Sequence, residues 1–310
     1  MKLAVSFVSF ALSRTSDYPR PMPNLLLDAR ASLGESPRWC VRDACLYWVD
    51  IAAQRLHRFD PATGVNFTRQ FDQPVACVAP RASGGLALGM RDGIAIIDDW
   101  DAPLRPLGPP FLAGQADYRC NDAVTDALGN WWLGSVDEAK ATHDAALYRI
   151  APDGSAARMI GGMTTCNGAA FSPDGRTFYH ADTPTHAIRA FDHDPATGTL
   201  ANPRLFHQFD HGTGRPDGAA VDAEGCIWSA LFDGGRIVRL SPDGELLQTV
   251  GLPVSRPTMI GFGGDDGRTA FVTSARKGLS DDQLAREQHA GGLFTFRVDV
   301  PGLIAPPFAG

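Results

Sequence analysis

The sequence predicts an all-β protein, a single six-bladed β-propeller, and three observations carry that reading. First, one position recurs eight residues before a turn glycine: Cys77 before Gly85, Asn121 before Gly129, Asn167 before Gly175, Asp217 before Gly225 and Met259 before Gly267. Second, with a looser copy at Glu35, these positions are spaced by 42, 44, 46, 50 and 42 residues, a period that belongs to solenoids, arrays or propeller blades. Third, the repeat is made of short strand-like runs and Asp-Gly turns without helical periodicity, which selects the propeller.

The elements follow in order. The apolar run Leu25-Leu26-Leu27 precedes the first repeat and is placed to close the ring as an added strand, protecting the sheet edges. Blade 1 begins near Glu35-Ser36-Pro37, and its second half reads Leu56 to Gly64 through an Asp-Pro turn. Blades 2 and 3 begin at Cys77 and Asn121; Leu147 to Gly154 supplies the later strand and turn of blade 3. Blade 4 begins at Asn167 and repeats the strand–turn pair from Ile188 to Gly198, blade 5 at Asp217 repeats it from Ile237 to Gly244, and Met259 opens blade 6. Asp, Pro and Gly supply the backbone angles that these tight turns need. The propeller is expected over residues 22–310 as one domain. Residues 1–21 read as an extension ahead of it, either an over-long start before Met22 or a weak signal segment with one lysine and a short apolar run.

Composition narrows the function. With 44% hydrophobic and 20% charged residues the chain has the profile of a globular protein with a large core. A net charge of −7 without a Lys/Arg stripe excludes a nucleic-acid partner, and no apolar run is long enough to span a bilayer. Six cysteines without paired spacing suit a reduced, cytoplasmic chain.

Residues at equal phase of a propeller converge on one mouth of its channel. Glu35, Asn121, Asn167 and Asp217 are therefore expected around one small volume, with Cys77 and Met259 as an apolar wall and Arg119 and Asp122 as flanks. Two carboxylates and two amide oxygens are hard ligands suited to a divalent cation.

The segments Leu33-Gly34-Glu35-Ser36-Pro37, Arg119-Cys120-Asn121-Asp122, Cys166-Asn167-Gly168 and Arg215-Pro216-Asp217-Gly218 resemble the signature points of the regucalcin/gluconolactonase family, six-bladed propellers that hydrolyse sugar lactones. The resemblance covers about residues 25 to 300, and Ala275 to Ser280 with Ala290 to Phe294 is similar to the bacterial aldonolactonase branch. It implies metal ligands at Glu35, Asn167 and Asp217, a catalytic acid/base at Asp217, and substrate binding by Arg119 and Asn121. A further substrate-contacting glutamate corresponds to Glu138, where the surrounding Asp137-Glu138-Ala139 departs from the family pattern. The cofactor implied is one divalent cation, calcium, zinc, manganese or iron(II), which would polarise the lactone carbonyl or the attacking water while Asp217 or Asp122 relays the proton. The partner implied is a small-molecule sugar lactone; the alternatives are a non-catalytic calcium-binding or sugar-sensing propeller and another ester hydrolase on the same fold.

Other signals are set aside. His207 and His211 have the spacing of a helical zinc pair but lie among strands. Cys120 and Cys166 adjoin site residues, and strand alternation turns them into the core. With Arg119 the single cation that the motifs place in the pocket, a neutral pentono- or hexonolactone is the expected substrate, because a phosphorylated one calls for several donors.

Overall fold

The computed structural model describes residues 22–310, which form six four-stranded antiparallel sheets; the expected extension over 1–21 lies outside the described residues. The innermost strands are Gly34–Cys40, Cys77–Pro80, Tyr118–Thr125, Cys166–Phe171, Arg215–Val221 and Pro257–Gly263, each packed against the next around the ring. Blades 1 to 5 are built of consecutive strands. Blade 6 is composite: Pro257–Gly263, Thr269–Ser274 and Leu293–Arg297 are completed by Asn24–Leu27, which pairs Leu25 with Phe294. The apolar run at 25–27 thus closes the ring as the sequence suggested.

The eight-residue interval has a structural cause. It runs from a residue in the innermost strand, through a hairpin turn, to the next strand. In blade 3 the Asp126 carboxylate accepts from the amides of Leu128 and Asn130 and from the Trp132 indole at 2.9 to 3.0 Å. Asp222 repeats this in blade 5 with Glu224, Cys226 and Trp228. One aspartate per turn therefore clamps both the backbone and a buried tryptophan, while Gly129 and Gly225, each at φ +79°, occupy the left-handed position that a Cβ would strain. Asp222 also pairs at 2.8 Å with Arg239, whose side chain is 1% exposed, so the charge buried in that turn is compensated.

The phase residues lie inside the innermost strands. Pairing shifts at that point in five blades: between Glu35 and Arg38, Cys120 and Ala123, Asn167 and Ala170, Pro216 and Ala219, and Pro257 and Met259. An extra residue in one strand bends it and re-aims its side chains. Blade 2 pairs Cys77–Pro80 with no such shift.

The innermost strands all start at one mouth of the channel and end at the other. The far mouth is crossed by residues 301–310: Leu303 donates to Val221 in blade 5, Ala309 to Gly129 in blade 3, and Phe308 to Pro80 in blade 2. Phe308 is fully buried, with its ring 5.9 Å from that of Trp131. A short helix, Asp281–Arg286, interrupts blade 6, and Ser280 and Gln283 form a reciprocal cap at its start. Among the described residues no helix is long and apolar enough to cross a membrane.

Candidate active site

At the mouth where the innermost strands begin, Glu35, Asn121, Asn167 and Asp217 line one cavity of about 360 Å³ together with Arg119 and Glu138. All six residues proposed from sequence are brought together. Cys77 and Met259, expected as an apolar wall, do not line the cavity; both are completely buried. The strand irregularities explain the split. Cys77 opposes Gly89, and Met259 opposes Thr273 after its shift, both in regular register, so neither side chain is turned out of the core face. Glu35 and Asn167 sit immediately before their shifts, and Asn121 and Asp217 sit within theirs.

A chain of hydrogen bonds joins three blades. Arg119 donates through Nη1 to Asn121 Oδ1 at 2.7 Å, Asn121 Nδ2 donates to Asn167 Oδ1 at 2.8 Å, and Asn167 Nδ2 donates to Thr183 Oγ1 at 2.8 Å. Thr183 passes its hydroxyl proton to the Pro216 carbonyl at 2.8 Å, next to Asp217. Arg119 is anchored in turn by Glu138, which accepts from Nε at 3.0 Å, while Arg91 lies 3.6 Å from the other carboxylate oxygen.

Three carboxyl groups gather beneath this chain. Burial pushes the Glu35 carboxyl well above the usual carboxylate range, and the charges of Asp217 and Asp122 add to the rise. Asp217 is raised in the same way by burial and by Asp122, with Arg215 and Lys140 pulling the other way. Burial also raises Asp122, against the pull of Arg38. Asp122, however, does not line the cavity: it accepts from the Ala123 and Ala169 amides at 2.7 and 3.1 Å and lies 3.7 Å from Arg38. Each of its oxygens is engaged by a backbone amide and it stands off the cavity wall, so Asp217 is better placed than Asp122 to relay a proton.

Buried carboxylates that raise one another call for a positive charge between them. Glu35, Asp217 and the Asn167 amide oxygen form a hard oxygen set suited to a divalent cation. Among the described residues no three Asp, Glu, His or Cys side chains form such a group. Cys120 and Cys166 are completely buried, as expected, and burial raises both thiols. His207 bonds the Gly244 carbonyl and His211 packs on His186, away from the cavity.

Sequence reasoning missed several lining residues. Thr165, Thr183 and Phe232 add hydroxyls and a ring, while Lys140, Arg215 and Lys277 add three cations. Arg119 is therefore not the single cation of the pocket, and the premise behind a neutral substrate fails. Arg215 stood in a quoted motif; the lysines had a different signal, their rarity in the chain.

A second cavity, about 300 Å³, lies against residues 303–306 at the far mouth among Val124, Ala170, Phe171 and Val221. It gathers none of the convergent acids and amides, so the chemistry belongs to the first.

Fold and site together define a six-bladed propeller with a cavity of converging carboxyls, amides and basic side chains at one channel mouth. The chain belongs to the SMP-30/gluconolactonase/LRE-like family, whose model matches residues 33–276. It is 42% identical over 284 residues to the 6-deoxy-6-sulfogluconolactonase of Pseudomonas putida, covering 90% of this chain and 95% of that one. It is 33% identical to a Bacillus subtilis protein named putative sugar lactone lactonase, covering 91% of this chain and 97% of that one. The solved structure of a calcium-binding regucalcin from Agrobacterium tumefaciens superposes with a TM-score of 0.88 at 24% identity, over 94% of this chain and 98% of that chain, a likeness of fold. The family resemblance read from the four motifs is thereby borne out.

Proposed function

We propose that this protein hydrolyses the lactone of a sugar acid to the open-chain acid, using one divalent cation held by Glu35, Asn167 and Asp217. The observation that carries the proposal is the pairing of two mutually repelling, buried carboxyls with an amide oxygen whose direction is fixed by Arg119 and Asn121. The names of the relatives support the reaction: both are lactonases of sugar acids, one of a lactone carrying a sulfo group.

The cation, when bound, would keep both carboxylates ionised and withdraw electrons from the lactone carbonyl. Asp217, at the cavity floor, takes a proton from the attacking water as its oxygen bonds to the carbonyl carbon. The same carboxyl then returns that proton to the ring oxygen as the carbon–oxygen ring bond breaks, leaving an alcohol and a carboxylic acid, which releases its remaining proton to solvent to become the carboxylate. Arg119, Asn121 and Glu138 offer donors and acceptors to the sugar hydroxyls, and Thr165 and Thr183 extend that set.

The test is a lactone panel followed by proton release, after chelation and after restoration of single cations. Loss of turnover on chelation and recovery with one cation support the proposal. Cation binding without turnover of any lactone would reduce the protein to a binding propeller, and full activity after complete chelation would remove the cation from the mechanism.

A further inference from the structure

Lysine is almost absent from this chain. It holds three, at 2, 140 and 277, against 25 arginines, and both lysines among the described residues line the candidate active-site cavity. Elsewhere in the described residues the fold uses arginine for every ion pair, and neither Lys140 nor Lys277 has an ion pair or side-chain hydrogen bond there. Lys140 sits in the turn after Asp137, whose carboxylate accepts from the Lys140, Ala141 and Thr142 amides at 2.7 to 3.1 Å. Lys277 is held through its own backbone: its amide donates to Ser32 at 2.8 Å, and Arg256 donates to its carbonyl. The two backbones are fixed while the two ammonium groups are left uncommitted.

Arg215, at the start of the blade 5 innermost strand, completes the group. Its guanidinium lies 5.1 Å from the centre of the Phe232 ring and pairs with Asp233, a carboxylate it shares with Arg256. The cavity and its edge thus hold six cations, Arg91, Arg119, Arg215, Arg256, Lys140 and Lys277, against four carboxylates, Glu35, Asp217, Glu138 and Asp233. On a chain with a net charge of −7, the surplus of two cations over carboxylates at this mouth is a local excess of positive charge that an anion would offset. The Lys140 ammonium is lowered by partial burial and by Arg215, with Asp217 pulling the other way and Lys277 and Arg119 adding smaller repulsions.

We infer that Lys140, Lys277 and Arg215 form a subsite for a tetrahedral oxyanion, a sulfonate or phosphate ester, carried by the sugar lactone at the end remote from its carbonyl. This rests on the lactonase reading above and adds the substituent its substrate carries. The chemistry of the groups fits. Arg215 presents a planar fork with its plane fixed on a ring, and the two lysines supply point charges on flexible stems that adapt to three oxygens. A neutral sugar terminus brings no charge to such a group, whereas an oxyanion can engage both lysines and the free edge of the Arg215 fork.

The experiment measures kcat/KM on the cation-loaded protein for glucono-1,5-lactone, 6-phosphogluconolactone and 6-deoxy-6-sulfogluconolactone, in the wild type and in Lys140→Gln/Lys277→Gln. The wild type should prefer at least one anionic lactone over the neutral one by about tenfold or more, and the double variant should lose at least about tenfold of that ratio. High salt should erode the preference as well. The larger of the two anionic arms identifies the oxyanion. Equal use of neutral and anionic lactones, or a ratio unchanged in the variant, overturns the subsite, the second result meaning that the lysines only balance Glu35 and Asp217. If no lactone is turned over, the hydrolase reading fails. The subsite is then judged by equilibrium binding of 6-phosphogluconate against gluconate, which must favour the phosphate in the wild type and lose that preference in the variant.

Discussion

Asn121 donates through Nδ2 to Asn167 Oδ1 across the junction of blades 3 and 4, at 2.8 Å. The direction of this bond is fixed from outside the pair. Arg119 can only donate, so Asn121 must turn its oxygen toward Arg119 and its nitrogen toward Asn167. Asn167 must then present oxygen to Asn121 and nitrogen to Thr183, which leaves one lone pair of Oδ1 for a cation. A residue read from sequence as a substrate binder thus also sets the face that a proposed ligand shows.

The first prediction follows. Asn121→Leu or Arg119→Ala should weaken cation affinity about tenfold or more through loss of that orientation, besides raising KM. Calorimetric titration with the activating cation measures it. Unchanged affinity in both variants would return Arg119 and Asn121 to substrate binding alone.

Asp217→Asn should abolish turnover and weaken cation binding together, because the proposed function gives both roles to that one carboxylate. Asp122→Asn should cost less in turnover, since Asp122 is bonded to the Ala123 and Ala169 amides and does not line the cavity. Steady-state rates of the two variants decide; near-normal turnover in Asp217→Asn would remove the acid/base assignment.

Burial pushes His180 from its ordinary 6.5 to about 4, and its Nε2 finds no hydrogen-bond partner among the described residues. Between those values the unfolded chain takes up a proton that the folded chain refuses. The contribution of this group to stability is therefore whole above pH 6.5, falls as the pH drops and is lost by about pH 4, at about 1.4 kcal/mol per pH unit. His180→Leu should lose about 2 kcal/mol less than the wild type between pH 7 and pH 5. Urea unfolding at the two pH values checks it, and an identical loss in both proteins refutes it.

The two ends of the described chain make the fourth test. A chain starting at Met22 should fold and remain active, since the ring-closing strand begins at Asn24. Phe308→Ala should cost about 3–5 kcal/mol, as expected for emptying a fully buried aromatic site. Thermal unfolding measures both; insoluble protein from the first, or an unchanged melting temperature in the second, contradicts the assignment.

The sequence carried the blade count because the innermost hairpins place a turn glycine at one fixed interval, and two of them repeat one chemical device in full. Asp126 and Asp222 hold turn amides and an indole at the same distance from Asn121 and Asp217, so the phase was visible as spacing. The bulges were not visible, since a shift in pairing depends on the neighbouring strand and leaves no mark on alternation. That is why Cys77 and Met259 were grouped with the polar residues they do not join. Lys140 and Lys277 escaped for another reason: they reach the cavity from loops of blades 3 and 6, through backbone bonds to Asp137 and Ser32 that no motif records. The cap at Ser280 and Gln283 was legible as a Ser-x-x-Gln pattern and passed unread.

The pairing of Leu25 with Phe294 also governs how the ring can form. Bringing those strands together closes a loop of roughly 270 residues, an entropic cost of about 5 kcal/mol by the logarithmic law for flexible chains. Five blades built from neighbouring strands meet no such barrier and can assemble first, leaving the clasp as the late, slow event of folding. Until it snaps shut, Leu293–Arg297 offers an unpaired edge to any other molecule's Asn24–Leu27. At high concentration, refolding should therefore yield strand-exchanged dimers, and the share of dimer should rise with the protein concentration at which the denaturant is removed.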